Sequence, residues 1–160
     1  MQFTQSISYP GTVDEVVAMY LTPAYLELRF GQFVVEGSQV VSVEGERVSF
    51  AGTVRPELIP AAAARFVKSD LRIAFTEEWT TNEAGASSRT SVTVDGAPVS
   101  VEATSTLTGT ETGCTREVTG NVSVRVPLLG GRIEKEAVAH LCRVVEREQA
   151  LATQWLEEHR

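Results

Sequence analysis

The chain has 160 residues, of which 42% are hydrophobic and 22% charged. That is the composition of one globular domain, and it excludes a disordered segment or a second domain of ordinary size. Its 21 acidic residues outnumber 14 basic ones for a net charge of -7, with no concentrated basic run. This argues against nucleic acid and against an anionic membrane surface as partners.

Residues 1–9 alternate, with Phe3, Ile7 and Tyr9 on one side and Thr4, Ser6 and Ser8 on the other. Period two predicts a half-buried strand, which Pro10-Gly11 stops. Thr12 and Glu15 are spaced as a capping box. Val13, Val16, Val17, Tyr20 and Leu21 then form one helical stripe. Thr22 as N-cap and Pro23 at the first helical position predict a second short helix, running to about Phe30 and ending at Gly31.

From about Phe33 to Val126 the pattern predicts an antiparallel meander. Its strands are expected over Gln39–Glu44, Arg47–Arg55, Asp70–Thr81, Ser88–Val94, Val99–Thr108 and Arg116–Val126. The connection Pro56–Lys68 interrupts it, and Ile59–Ala64 there offers a loop or one helical turn. After Gly130-Gly131, residues 132–158 lack Gly and Pro. Ile133, Ala137, Leu141, Val144, Val145, Leu151, Ala152 and Trp155 follow helical spacing, which predicts one helix of about 27 residues, roughly 40 Å long.

The order of strand, two short helices, six-strand meander and long C-terminal helix resembles the START-like (SRPBCC) superfamily. That is the helix-grip fold of lipid-transfer domains, plant pollen allergens and polyketide cyclases. SYPGTVDEVVAMYLTPAYLELRF is similar to the superfamily's opening segment. The closing stretch resembles a bacterial family known only as a domain of unknown function, in which a final strand ends in Val-Pro-x-x-Gly-Gly and the helix begins Ile-Glu. Val126, Pro127, Gly130, Gly131, Ile133 and Glu134 match that pattern. The resemblance covers the whole chain, residues 1–160, as a single α+β domain with a curved seven-stranded antiparallel sheet. Because the superfamily hosts carriers, sensors and enzymes, it implies fold rather than chemistry.

In such a fold a long helix does not fill the concave side of the sheet, and the resemblance implies an apolar cavity where the pattern alone reads as packed core. Strand parity places Phe50, Ile73, Phe75, Glu77, Trp79, Val101 and Val122 towards it, with Gly52 leaving local space. The helices add Tyr25 and Phe30, then Leu141 and Val145. The expected occupant is a small hydrophobic or amphipathic molecule such as a lipid, polyketide or aromatic metabolite.

Glu77 is the surprise in that set, because an unpaired charge beside Phe75 and Trp79 is costly. A bulge near Glu77-Glu78, or a strand end reaching water, would leave it wet, and this is the expectation. The alternative is an internal polar anchor or an acid/base with a raised pKa. A cyclase, dehydratase or isomerase would then use Glu77, with Tyr25 or His140 polarising a carbonyl. Arg55, Arg65 and Arg72 read as solvated charge rather than contacts to an anionic head group.

No Cys/His/carboxylate cluster has metal-ligand spacing, and no phosphate-binding motif occurs, so no metal or cofactor is expected. Cys114 at an expected hairpin turn and Cys142 in mid-helix lack His partners and read as inert thiols. Two cysteines, no basic-then-apolar leader and no apolar run of 18 residues predict a cytoplasmic protein without a membrane-spanning segment. Ligand binding ranks first, a protein-interaction surface with an unknown partner second, and catalysis third.

Overall fold

The computed structural model describes residues 1–59, 61–65, 67 and 69–159. Strand β1 (Gln2–Tyr9) buries Phe3, Ile7 and Tyr9, as its alternation requires. The capping box forms: Thr12 Oγ1 accepts the Glu15 N–H at 3.1 Å, and the Glu15 carboxylate accepts the Thr12 N–H at 3.2 Å. It starts α1 (Val13–Tyr20). Pro23 opens α2 (Pro23–Phe30). Thr22 does not cap that helix as expected, because its hydroxyl donates instead to the Ala18 carbonyl, 2.7 Å away.

The meander follows as β2 (Val40–Glu44), β3 (Arg47–Thr53), β4 (Arg72–Asn82), β5 (Gly85–Asp95), β6 (Val99–Gly109) and β7 (Cys114–Val124). One antiparallel sheet results, in the order β1-β7-β6-β5-β4-β3-β2. A short turn, α3 (Ala61–Ala64), sits in the connection between β3 and β4. Pro60, Phe66 and Lys68 of that connection lie outside the described residues.

Several boundaries differ from the sequence reading. The ladder between β4 and β5 closes at Asn82 and Gly85, so β5 starts three residues earlier than Ser88. Cys114 pairs with Tyr9 and Gly109 as the first residue of β7, and is not in the turn. Val126 falls beyond the last strand, although it still packs with the apolar residues around Phe3. Gly52 leaves no space, because the Val34 side chain fills it: a Cβ on Gly52 would lie 2.7 Å from Val34 Cγ1.

The long helix α4 (Gly130–Glu158) includes both glycines. Gly130 lies so close to β7 that a Cβ there would stand 2.5 Å from the Val124 carbonyl oxygen. The sharp turn into the helix therefore requires a residue without a side chain. Running back across the concave face, α4 packs chiefly on β1 and β7 and touches α1 and α2. Three apolar clusters result. One gathers Tyr9, Tyr20, Tyr25, Trp79 and Leu156 between the helices and the sheet. A second holds Leu26, Val34, Phe50 and Phe75, and a third holds Phe3, Val122, Val124 and Ile133. Among the described residues no helix is long and apolar enough to cross a membrane.

Candidate functional site

The sheet register brings a polar band onto the concave face. Glu77 points inward between Phe75 and Trp79 and is opposite Thr90 of β5. Ser88 faces Trp79 on one side and Ser105 on the other. Arg116 of β7 points the same way, opposite Leu107 and Ile7. Its Nη2 donates to Glu77 Oε2 at 2.9 Å and to Ser88 Oγ at 3.1 Å, and its Nε donates to Ser105 Oγ at 2.9 Å. Glu77 also accepts from Thr90 Oγ1 at 2.7 Å and from Trp79 Nε1 at 3.1 Å.

The helices extend this band. Arg29 of α2 places Nη1 at 3.7 Å from Glu77 Oε1 and Nε at 2.7 Å from Glu148 Oε1 of α4. Tyr20 donates its hydroxyl proton to the same Glu148 oxygen at 2.9 Å. That proton is therefore spent, and Tyr9, 2.6 Å away, is the donor in the Tyr9–Tyr20 bond. Both guanidiniums also lie over the Tyr20 ring, Arg116 at 4.7 Å and Arg29 at 4.9 Å from its centroid. The four charges alternate in sign as Arg116, Glu77, Arg29 and Glu148, and they sum to zero.

Alternation explains the protonation states. Burial alone would push the Glu77 carboxyl up, but Arg116 first, Arg29 next and the bonds from Thr90 and Arg116 together hold it below the ordinary value. Glu77 thus stays ionised. Burial works against both guanidiniums, and their carboxylate neighbours more than offset it: Glu148 and then Glu77 for Arg29, Glu77 for Arg116. Desolvation pushes the Tyr9 phenol up to about 12 and raises Tyr20 and Tyr25 as well. Burial likewise moves the Cys114 thiol up to about 11, which keeps it protonated.

Beside this band an open recess of about 280 Å³ lies between α2 and α4. Leu28, Phe30, Val144 and Leu151 provide apolar walls, while Arg29 and Glu148 form its polar base with Arg147 and Gln32 at the margin. On the sheet itself Ile73, Thr90, Val92, Val101 and Ala103 are only half-buried although they sit on the concave face.

The expected lining residues divide among the three clusters. Phe50 and Phe75 are buried and Ile73 is half-buried beside them. Tyr25 and Trp79 are buried, with half-buried Val145 against them. Val122 is buried, with Val101 and Leu141 half-buried in its cluster. Only Phe30 of the eleven borders the recess, where its ring also packs on Phe50 and Phe75.

Glu77 corrects two expectations. The strand has no bulge there, since its ladders run unbroken past Glu77 to Val48 and Thr90, and the side chain is 1% exposed rather than wet. Its pKa is lowered, not raised, so the general acid with a raised pKa does not stand. His140 is exposed, and the Tyr25 hydroxyl is buried without a hydrogen-bond partner. Arg55 also departs from the solvated reading, as its Nε donates to the Val34 carbonyl at 2.8 Å.

Sequence reasoning missed Arg29, Arg116 and Glu148, yet each occupies an apolar register. Arg116 shares parity with Val118, Val122 and Val124; Glu148 falls between Val144 and Leu151 on the stripe; Arg29 follows Tyr25 by four and Leu26 by three. Among the described residues no group of His, Cys, Asp and Glu has the arrangement of a metal site.

A seven-stranded sheet curved about a C-terminal helix, with two short helices between its first two strands, is the helix-grip architecture of the START-like superfamily. Solved structures of that architecture match along nearly the whole chain. Norcoclaurine synthase from Thalictrum flavum, in complex with dopamine and hydroxybenzaldehyde, is 12% identical with a TM-score of 0.62, covering 100% of this chain and 88% of that one. A conserved protein from Geobacillus kaustophilus is 22% identical with a TM-score of 0.55, covering 94% and 95%. Within this architecture the chain belongs to the family described as "Protein of unknown function (DUF2505)", which matches residues 4–156. The uncharacterized protein Rv0481c of Mycobacterium tuberculosis is 27% identical over 168 residues, covering 96% of this chain and 95% of its own.

Proposed function

We propose that this protein binds a small amphipathic molecule between the sheet and its C-terminal helix, with the α2–α4 recess as the binding site or its mouth. The observation that carries the reading is the recess itself: about 280 Å³ with apolar walls and a charged base. Ligand sites are concave and mostly apolar, with a few fixed polar groups, and run from roughly 300 Å³ upwards. This one lies at the small end and suits a short-chain or single-ring molecule. The half-buried aliphatic strip of Ile73, Val92 and Val101 supports the same reading, because apolar side chains under a helix are ordinarily enclosed. Norcoclaurine synthase, with its two aromatic ligands, is an instance of the architecture holding small molecules. The setting is taken as the cytoplasm, where unpaired thiols such as Cys114 and Cys142 persist.

The reading favours binding over catalysis. Glu77 is locked between two guanidiniums and has no proton to give near neutrality. Native mass spectrometry of purified protein, followed by titration with Nile red, tests the proposal. Retained organic mass, or saturable dye fluorescence with one site per chain, is the expected result. Failure of both measurements overturns it.

A further inference from the structure

Among the described residues, Arg29 is the interior charged group whose buried nitrogens lack hydrogen-bond partners. Its side chain is 11% exposed, yet Nε and Nη1 are enclosed without a hydrogen bond. Nε is close to Glu148 but not directed at it, and Nη1 is too far from Glu77 to bond. A guanidinium carries five N–H donors in a planar fork. Arg116, the other interior guanidinium, uses its donors on Glu77, Ser88 and Ser105. Nε and Nη1 lie beside Glu148 and Glu77 and are enclosed, so Nη2 is the nitrogen through which Arg29 can meet a ligand at the recess it borders.

The charges around the recess have a sign. Arg29 and Arg147 border it, and Glu148 is the single acid. That acid already serves Arg29 and the Tyr20 hydroxyl. One positive charge is left over, beside four apolar side chains. We infer that the recess takes an amphipathic monoanion, namely a carboxylic acid with a short aliphatic or aryl body. Its carboxylate is held by Arg29 Nη2 and by Arg147, and its body lies against Leu28, Phe30, Val144 and Leu151. This inference rests on the binding reading above and adds the ligand's chemical class.

Calorimetric titration of the purified chain with octanoate, octanol, octylamine and octyl phosphate separates the two claims. Octanoate is expected to bind at least tenfold more tightly than octanol, with octylamine weakest. Arg147→Gln, at an exposed position, should weaken octanoate severalfold and octanol distinctly less. Arg29→Lys, which keeps the charge and loses Nη2, should weaken octanoate more than octanol; should that variant fail to fold, Arg147→Gln decides. Equal affinity for octanoate and octanol overturns the carboxylate assignment while the binding site stands. So does tighter binding of octyl phosphate, or an equal loss for octanoate and octanol in the variants. If none of the four binds, the inference falls together with the binding reading.

Discussion

Arg116 Nη2 is 2.9 Å from Glu77 Oε2, and this pair links β7 to β4 across two intervening strands. With Arg29 and Glu148 it forms a line of alternating charge from the sheet through α2 to α4. A lone charge at any of these positions would be expelled or neutralised. Paired along this line, the four restrain how the two helices sit against the sheet, and the hydrogen bonds of Arg116 and of Tyr20 to Glu148 add direction that apolar packing lacks.

Removing one member should cost more than removing a surface charge. Glu77→Gln leaves Arg116 and Arg29 facing a neutral amide in a buried setting, and breaking such a pair costs about 3–5 kcal/mol. The pH dependence follows from the lowered carboxyl of Glu77. Its contribution is complete above the ordinary value of 4.5 and is lost as pH falls through the lower folded value. Urea unfolding at pH 7 should show the loss in the variant. A scan from pH 6 to pH 3 should show a shallower acid limb for Glu77→Gln than for the parent. An unchanged midpoint at pH 7 would remove the pair from the stabilising core.

The three tyrosines test the same interior from the alkaline side. Tyr9, Tyr20 and Tyr25 are all buried, with phenols raised from 10.0 chiefly by desolvation. Stability tied to them is whole below pH 10.0 and declines as pH climbs through the folded values. Phenolate absorbance should stay flat through pH 10.0 and then rise together with the loss of near-ultraviolet dichroism. Phenolate appearing near pH 10 while that dichroism persists would mean that water reaches at least one of the three hydroxyls.

Much of this molecule is legible without coordinates, and the reason is periodicity. The alternation around Phe3, Ile7 and Tyr9, the Thr12–Glu15 box and the stripe from Ile133 to Trp155 are local signals, and each produced its element. The charged chain is not local. Arg29, Glu77, Arg116 and Glu148 come from four elements, and each alone looks like a flaw in an apolar pattern. Glu77 stands out because aromatic residues flank it, but its partners become visible only when the register sets Arg116 level with Leu107. Pairing across a sheet is fixed by turn lengths, and the sequence pattern makes the turn between β4 and β5 four residues too long. The recess was equally hidden, since its walls come from α2 and α4, whose mutual angle no sequence period encodes.

Gly52 offers a test of close packing at the edge of the sheet. Val34 is wholly buried and lies against the Gly52 backbone. Being β-branched, it has few rotamers to retreat into. Gly52→Ala should therefore destabilise by about 1–3 kcal/mol, as overpacking does. The cost should shrink in a Val34→Ala background, because the added methyl then fills the space that variant opens. Equal costs in both backgrounds would place the strain on the Val34 Cβ, 2.9 Å from the added methyl and retained in that variant, or elsewhere, rather than on the valine's branched methyls.

Leu28 separates function from fold, because it borders the recess yet is 53% exposed. An exposed side chain of this kind contributes little to folding, and Leu28→Asp should shift stability by no more than about 0.5 kcal/mol. A ligand in the recess would cover that leucine. Losing an apolar contact worth about 1.5 kcal/mol lowers affinity roughly tenfold. For an anionic ligand the new carboxylate adds repulsion, so octanoate should lose more than octanol. Nile red and octanoate titrations against the parent, with urea midpoints measured in parallel, give both readouts. Weakened binding at an unchanged midpoint would place the ligand between α2 and α4. Binding that is indifferent to Leu28→Asp would move it off this recess and towards the half-buried strip of Ile73, Val92 and Val101.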